Sequence, residues 1–160
     1  MRWQNHIIVT GGLVQIFTGD ILISLITSLG SVLPDKLEGK PPDSRKDYKG
    51  YWKWRSNHRK FTHWFLPYLL SIFGIKFLIW SGEIEPDLCF IGDFFIYFFC
   101  GALLHIFEDS LCGKVPVFNL KPKKGFGLEL FKVGGFGEFF YSCFLLFGAY
   151  VIKNYVLNFL

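Results

Sequence analysis

The fold class this sequence predicts is an all-α polytopic membrane bundle, and three observations carry it. The chain of 160 residues is 51% hydrophobic and 20% aromatic, with 20 phenylalanines, a composition unlike that of an ordinary soluble domain. Its apolar residues fall in about four long blocks, 7–33, 64–81, 88–107 and 136–157, each long enough as a helix to cross about 30 Å of hydrocarbon. The connections between blocks are segregated by charge, as in a chain threaded through a bilayer. One domain covering 1–160 is the natural reading, multi-pass and in contact with membrane lipid.

The first block reads as a membrane anchor. It has no lysine-rich start and no small-residue cleavage pattern, so a cleaved signal peptide is not expected. As one helix it would run about 40 Å. Thr18-Gly19-Asp20 interrupts it near the middle, where Gly19 is a weak helix residue and Asp20 a good N-cap. The expectation is a hairpin of two shorter helices, roughly 6–17 and 21–33, with its turn buried because exposed backbone in lipid is costly. That fold brings His6 beside Asp35.

Residues 34–60 carry Lys36, Lys40, Arg45, Lys46, Lys49, Lys53, Arg55, Arg59 and Lys60, with Pro41-Pro42 as a helix breaker. Their basic, aromatic part, 45–59, reads as a solvated loop resting on anionic head groups. Residues 110–135 hold Lys114, Lys121, Lys123, Lys124 and Lys132. The turn at 83–87 holds Glu83, Glu85 and Asp87 and no lysine or arginine. The positive-inside rule then makes both basic connections cytoplasmic and the acidic turn external. The second block therefore starts, and the third ends, at one membrane face.

The four histidines, His6, His58, His63 and His105, all stand at block edges at that face, beside Asp35 and Asp109. His105 and Asp109 are four residues apart on a helix, which puts them on one face about 5 to 6 Å apart. Imidazole and carboxylate suit zinc, and such mixed sites also take manganese or iron. The competing reading is a helix-end histidine paired to an acid. His58 and His63 are five apart, about 140° around a continuous helix, so a bend near Lys60-Phe61 is needed to bring them together. Thr62 is a candidate cap or histidine-orienting group. Arg59 could bind an anionic substrate oxygen or serve only as a topological charge. Asp35 follows a proline that ends the preceding helix.

Acids within apolar blocks, Asp20, Asp93, Glu108 and Glu138, are costly in lipid and are expected to face the bundle interior or water. Glu108 or Glu138 could act as a general base, or each could be a structural cap. The cysteines, Cys89, Cys100, Cys112 and Cys143, form no Cys-x-x-Cys pair and read as packed thiols. The glycines at 134–137 lack a preceding strand and argue weakly for nucleotide binding. A net charge of +4 without a basic, aromatic stripe points away from nucleic acid.

Read in order, Leu33-Pro34-Asp35, His58-Arg59-Lys60-Phe61-Thr62-His63, His105 with Asp109-Ser110-Leu111, and Gly113-Lys114-Val115-Pro116-Val117 resemble the motifs of the membrane-bound metal-dependent hydrolase family, described as LexA-binding and inner-membrane-associated. His6 matches that family's amino-terminal histidine. The resemblance implies a bacterial inner-membrane helical protein with a metal site, distantly similar to zinc-dependent phospholipase C. Two positions depart from the pattern. Leu37 stands where a second aspartate is usual, so either Glu38 substitutes or one carboxylate is missing, and Cys112-Gly113 replaces Thr-Pro.

The sequence thus predicts a mono- or dinuclear site of His6, Asp35, His58, His63, His105 and Asp109 at the cytoplasmic surface. Metal-activated water there would hydrolyse a lipid or phosphate ester. Two other classes stay open. One is a non-catalytic, metal-tied subunit of an oligomer or larger membrane assembly. The other is a metal or proton transporter using Asp20 and Asp93, which then must share one cavity with the histidines.

Overall fold

Helix α1 (Trp3–Thr18) stops where Gly19 takes a left-handed φ of 73°, and α2 (Ile21–Gly30) starts on Asp20, whose carboxylate accepts from the N–H groups of Leu22 and Ile23 at 2.8 and 3.1 Å. The first apolar block is therefore a hairpin, as Gly19-Asp20 predicted, but its turn is not packed against the other helices as expected: residues 17–22 are all exposed. Polar groups staple its two arms: Ser24 donates to Gln15 Oε1 at 2.9 Å and Ser28 to the Ile7 carbonyl at 3.3 Å. The computed structural model describes residues 1–117 and 125–156. The part of the basic connection carrying Lys121, Lys123 and Lys124 lies outside the described residues.

After the hairpin come α3 (Leu33–Glu38), α4 (Tyr48–Asn57), α5 (Phe65–Trp80), α6 (Cys89–Cys112) and α7 (Phe136–Val151), the last continuing as a π-turn over Ile152–Val156. The architecture is all-helical, and no strand occurs among the described residues. Helix α4 corrects the expectation of a loop over 45–59. Asp47 caps it by accepting from the Gly50 N–H at 2.7 Å, and it buries no residue. A polar helix of this kind carries no apolar stripe to betray it.

Of the about four apolar segments expected, the structure supports two as membrane-spanning by length and composition. Two helices are long and apolar enough to span, Pro86–Cys112 and Phe136–Tyr155. Phe65–Trp80 is apolar, but its 16 residues reach only about 24 Å. Each arm of the first hairpin is likewise short. Outward faces are strongly apolar: Phe136, Phe139, Phe140, Phe144 and Phe147 of α7 are all exposed. The buried interior, by contrast, holds His6, Thr10, His63, His105, Glu108 and Asp109. Polar-in and apolar-out is the arrangement expected where the surrounding solvent is lipid.

Helices α2 and α6 touch backbone to backbone. A Cβ on Gly30 would sit on the Phe98 carbonyl, and one on Gly101 would sit on the Thr27 carbonyl. Small residues permit that approach in a medium where close packing must replace the hydrophobic drive. Beyond α6 the chain folds back over its end. Val115 and Phe126 exchange two backbone hydrogen bonds at 2.8 and 2.9 Å, while Leu128 and Leu130 donate to the carbonyls of Ser110 and Leu111. These bonds satisfy carbonyls that a helix end leaves open.

Asp20 and Asp93 do not join the interior. Asp20 is an exposed cap, and Asp93 lies 4.0 Å from Lys76 with both side chains more than half exposed. Asp93 precedes His105 by about three turns, roughly 18 Å along α6. Among the described residues, neither acid lines the cavity beside the histidines that the transporter reading requires.

Candidate metal centre

The last turns of α6 carry His105, Glu108 and Asp109, and three other segments are brought against them. The first turns of α1 deliver His6, α3 delivers Asp35, and the turn between α4 and α5 delivers His63. All but Asp35 are almost completely inaccessible to solvent. His63 Nε2 lies 3.3 Å from Asp109 Oδ2, 3.5 Å from Asp35 Oδ1 and 3.2 Å from His105 Nε2. His105 Nε2 is 3.7 Å from both Asp35 Oδ1 and Asp109 Oδ2, and His6 Nε2 is 3.4 Å from Asp109 Oδ1. Two overlapping sets result, His6 with His105 and Asp109, and Asp35 with His63 and His105. His105 belongs to both.

Behind this layer, two glutamates hold the rings. Glu108 accepts from His6 Nδ1 at 2.6 Å and from the Thr10 hydroxyl at 2.8 Å. Glu38 lies 3.1 Å from His63 Nδ1 and also accepts from the Arg59 N–H at 2.6 Å, the Thr62 hydroxyl at 2.8 Å and His58 Nδ1. A carboxylate on Nδ1 turns Nε2 toward the centre, the usual outer support of a metal-ligating histidine.

These residues fit a divalent cation. Ligand atoms sharing one zinc at 2.0 to 2.2 Å stand about 3.3 to 3.6 Å apart, close to the separations around His63 and His105. His6 Nε2 and His105 Nδ1 are buried without a hydrogen-bond partner, and His6 stacks on His105 with ring centroids 3.8 Å apart. Orphaned buried nitrogens are costly unless something else meets them. Electrostatics agree. Burial alone would lower the pKa of His63, but hydrogen bonds with Asp109, Asp35 and Glu38 overcome it and raise it to about 10. Glu38 is held well below the usual carboxylate range because its bonds to His58 and His63 outweigh its burial. Asp35 is lowered as well, against its burial, chiefly by His63 and His105. Arg59 and the Met1 ammonium already supply positive charge to Asp109, and the other carboxylates draw it from protonated imidazole or from a metal.

Some predicted residues stand elsewhere. His58 is in neither set. It is partly exposed, bonded to Glu38, and stacked on Trp54 with centroids 4.6 Å apart. Glu38 is in neither set, and its oxygens meet His58, His63, Thr62 and the Arg59 N–H. Glu108, read as a candidate base, has both oxygens on His6 and Thr10. Glu138, the other candidate, accepts from the Arg2 N–H at 2.7 Å and from Asn5 and the Gly134 N–H, which ties the start of α7 to the start of α1. Cys112 stays outside both sets, 3.7 Å from Asp109 Oδ1.

Arg59 does reach the centre. Its backbone is left-handed, φ 59°, a conformation costly for a side chain this size, and Glu38 clamps its N–H. Its Nε lies 2.8 Å from Asp109 Oδ2, at an angle that leaves no formed hydrogen bond, and a Cβ on Gly113 would fall on its Nη1. The glycine at 113 thus makes room for the guanidinium. Sequence reasoning missed this role, and it missed Thr10 and the Met1 amine, which binds Asp109. Thr10 had a signal, its position one turn after His6. The amine had none. Over the centre opens a cavity of about 1180 Å³, reached by Asp35, Glu38, His58, Arg59 and Asp109.

A family model described as YdjM inner membrane protein matches residues 1–152. No curated protein and no solved structure matches the chain. The family description names a location, the inner membrane, which suits the two long apolar helices, and names no metal, hydrolysis or LexA binding. With nearly its whole length matched, the chain belongs to the YdjM inner membrane protein family.

Proposed function

We propose that this protein is a membrane-bound metal-dependent hydrolase, with zinc held by His6, Asp35, His63, His105 and Asp109 and with a lipid or phosphate ester as substrate. The observation that carries the reading is the convergence of three imidazole Nε2 atoms on two carboxylates, Asp35 and Asp109, that line an open cavity. A divalent metal there supplies a water of lowered pKa and a Lewis acid for the phosphoryl or acyl oxygen. Asp35 is the most exposed of the five and faces the cavity. Glu38 and Glu108 keep the rings in place, and Arg59 offers its guanidinium to the anionic oxygen of the ester. Opening toward a wide cavity favours catalysis over a closed structural shell. The basic connections on this side of the bundle favour a cytoplasmic position for the centre by the positive-inside rule.

Elemental analysis of the purified protein tests the reading, with zinc expected near one or two ions per chain. Protein free of zinc, manganese and iron after isolation without chelators, and unable to take any of them up, refutes it.

A further inference from the structure

The cavity above the centre has an uneven charge balance that the metal reading leaves unused. Four acids line it. Asp35 and Asp109 face the histidines, Glu38 is saturated by His58, Arg59, Thr62 and His63, and Glu129 lies 3.8 Å from Lys114. The cations lining it are Lys36, Lys40, Arg55, Lys132 and Arg59. Among the described residues, the first four have no carboxylate within ion-pair reach, whereas Arg59 and the Met1 ammonium, which also lines the cavity, both pair with Asp109. The mouth is therefore positive once the acids are matched. Behind Asp109, which lines it, His6 Nε2 and His105 Nδ1 are fully buried without hydrogen-bond partners.

The same walls are apolar between the charges. Trp3 and Val133 are about half exposed, at 52% and 51%, and Phe131 and Val32 join them in the lining. A volume near 1180 Å³ exceeds the range of most small-molecule sites, roughly 300 to 1,000 Å³, and is far more than a bare anion needs. Lysines grouped around a guanidinium suit a multiply charged tetrahedral anion, whose oxygens accept several donors at once. Indole and phenyl walls suit a hydrocarbon substituent.

We infer that this cavity binds a phosphate ester bearing an apolar chain, its phosphate held by Lys36, Lys40, Arg55 and Lys132 and delivered toward Arg59, its chain against Trp3, Phe131 and Val133. The inference names the substrate class of the hydrolase reading and rests on it for catalysis. Binding itself does not require turnover. The same phosphate chemistry could reach the cavity on a lipid or on a small water-soluble ester, and the two sources differ in whether the chain contributes.

The test is calorimetric titration of the full-length protein in dodecyl maltoside with hexyl phosphate, inorganic phosphate and hexanol, alongside metal content. Hexyl phosphate is expected to bind at least about tenfold more tightly than inorganic phosphate, because burying even two methylenes supplies that factor, and hexanol to bind without measurable heat. Lys40→Ala, Arg55→Ala and Lys132→Ala should each weaken hexyl phosphate at least about fivefold and keep their metal, while Lys76→Ala, outside the cavity, changes neither. Trp3→Ala should reduce the preference for hexyl over inorganic phosphate. Equal affinity for the two phosphates overturns the amphiphile assignment in favour of a soluble ester. No binding, or binding indifferent to the three cations, overturns the site altogether. Metal loss with intact phosphate binding counts against the hydrolase reading and leaves this one standing.

Discussion

Glu108 Oε2 and His6 Nδ1 meet at 2.6 Å across 102 positions of sequence, both completely buried. The contact fastens the first turns of α1 to the last turns of α6 and fixes which nitrogen of His6 faces Asp109. It therefore does two jobs, one in the fold and one in the centre.

Glu108→Gln keeps the shape and loses the charge. Bound metal affinity should fall roughly 10- to 100-fold, the usual result of removing a histidine's carboxylate support, with helical content retained by circular dichroism. Chelator competition measures it. Unchanged affinity would make Glu108 a purely structural group.

His58 and His63 separate under the same substitution. His63→Ala and His105→Ala should each abolish or strongly reduce bound metal, and His58→Ala should keep its stoichiometry, because His58 reaches Glu38 and Trp54 and neither ligand set. Metal analysis of the three variants is enough. Loss in His58→Ala equal to that in His63→Ala would restore it as a ligand.

Metal-free protein should have a distinctive pH response. His63 is raised from 6.5 to about 10, so the stability it contributes is fully present below pH 6.5 and lost as pH rises through about 10. Metal must displace that proton. Affinity of stripped protein should therefore climb roughly tenfold per unit between about pH 6 and 9. A flat affinity over that range would show that His63 is already neutral.

Gly101→Ala should destabilise by roughly 1 to 3 kcal/mol, the cost of forcing an extra methyl into close packing, since its Cβ would meet the Thr27 backbone rather than a movable side chain. Thermal unfolding in detergent reads it. A melting temperature equal to the parent's would mean that α2 and α6 can part without loss.

Topology is the last expectation. A cysteine placed at Glu85 should label from outside the cell and one at Lys49 only from within, given the charge segregation of the connections. Labelling of both from one side would remove the cytoplasmic assignment.

What the sequence disclosed depended on whether the signal was local. Gly19-Asp20 announced the hairpin because a left-handed glycine and an N-cap are properties of two adjacent residues. His105 and Asp109 were legible as a pair because four residues make one turn. Helix α4 was not, since Tyr48–Asn57 is polar on average and buries no residue that a periodic apolar stripe would mark. His58 was placed with the ligands because spacing alone cannot say on which side of the Lys60-Phe61 bend a ring will lie. Glu108 was singled out for its cost in lipid, yet its partner sits 102 positions away, a distance no periodicity spans. Two of the expected segments meet the length for a full crossing and the others do not, because apolar composition measures solvent preference and not length.

The contact between Gly30 and the Phe98 carbonyl works as a gauge block between two machined parts. Asp35 follows Gly30 by five positions and His105 follows Gly101 by four, so the spacing of these two ligands is set where two missing side chains let backbones meet. Sliding one helix by a turn would move its ligand about 5.4 Å, more than any rotamer recovers. The calibration of the centre therefore lies inside the helix pair.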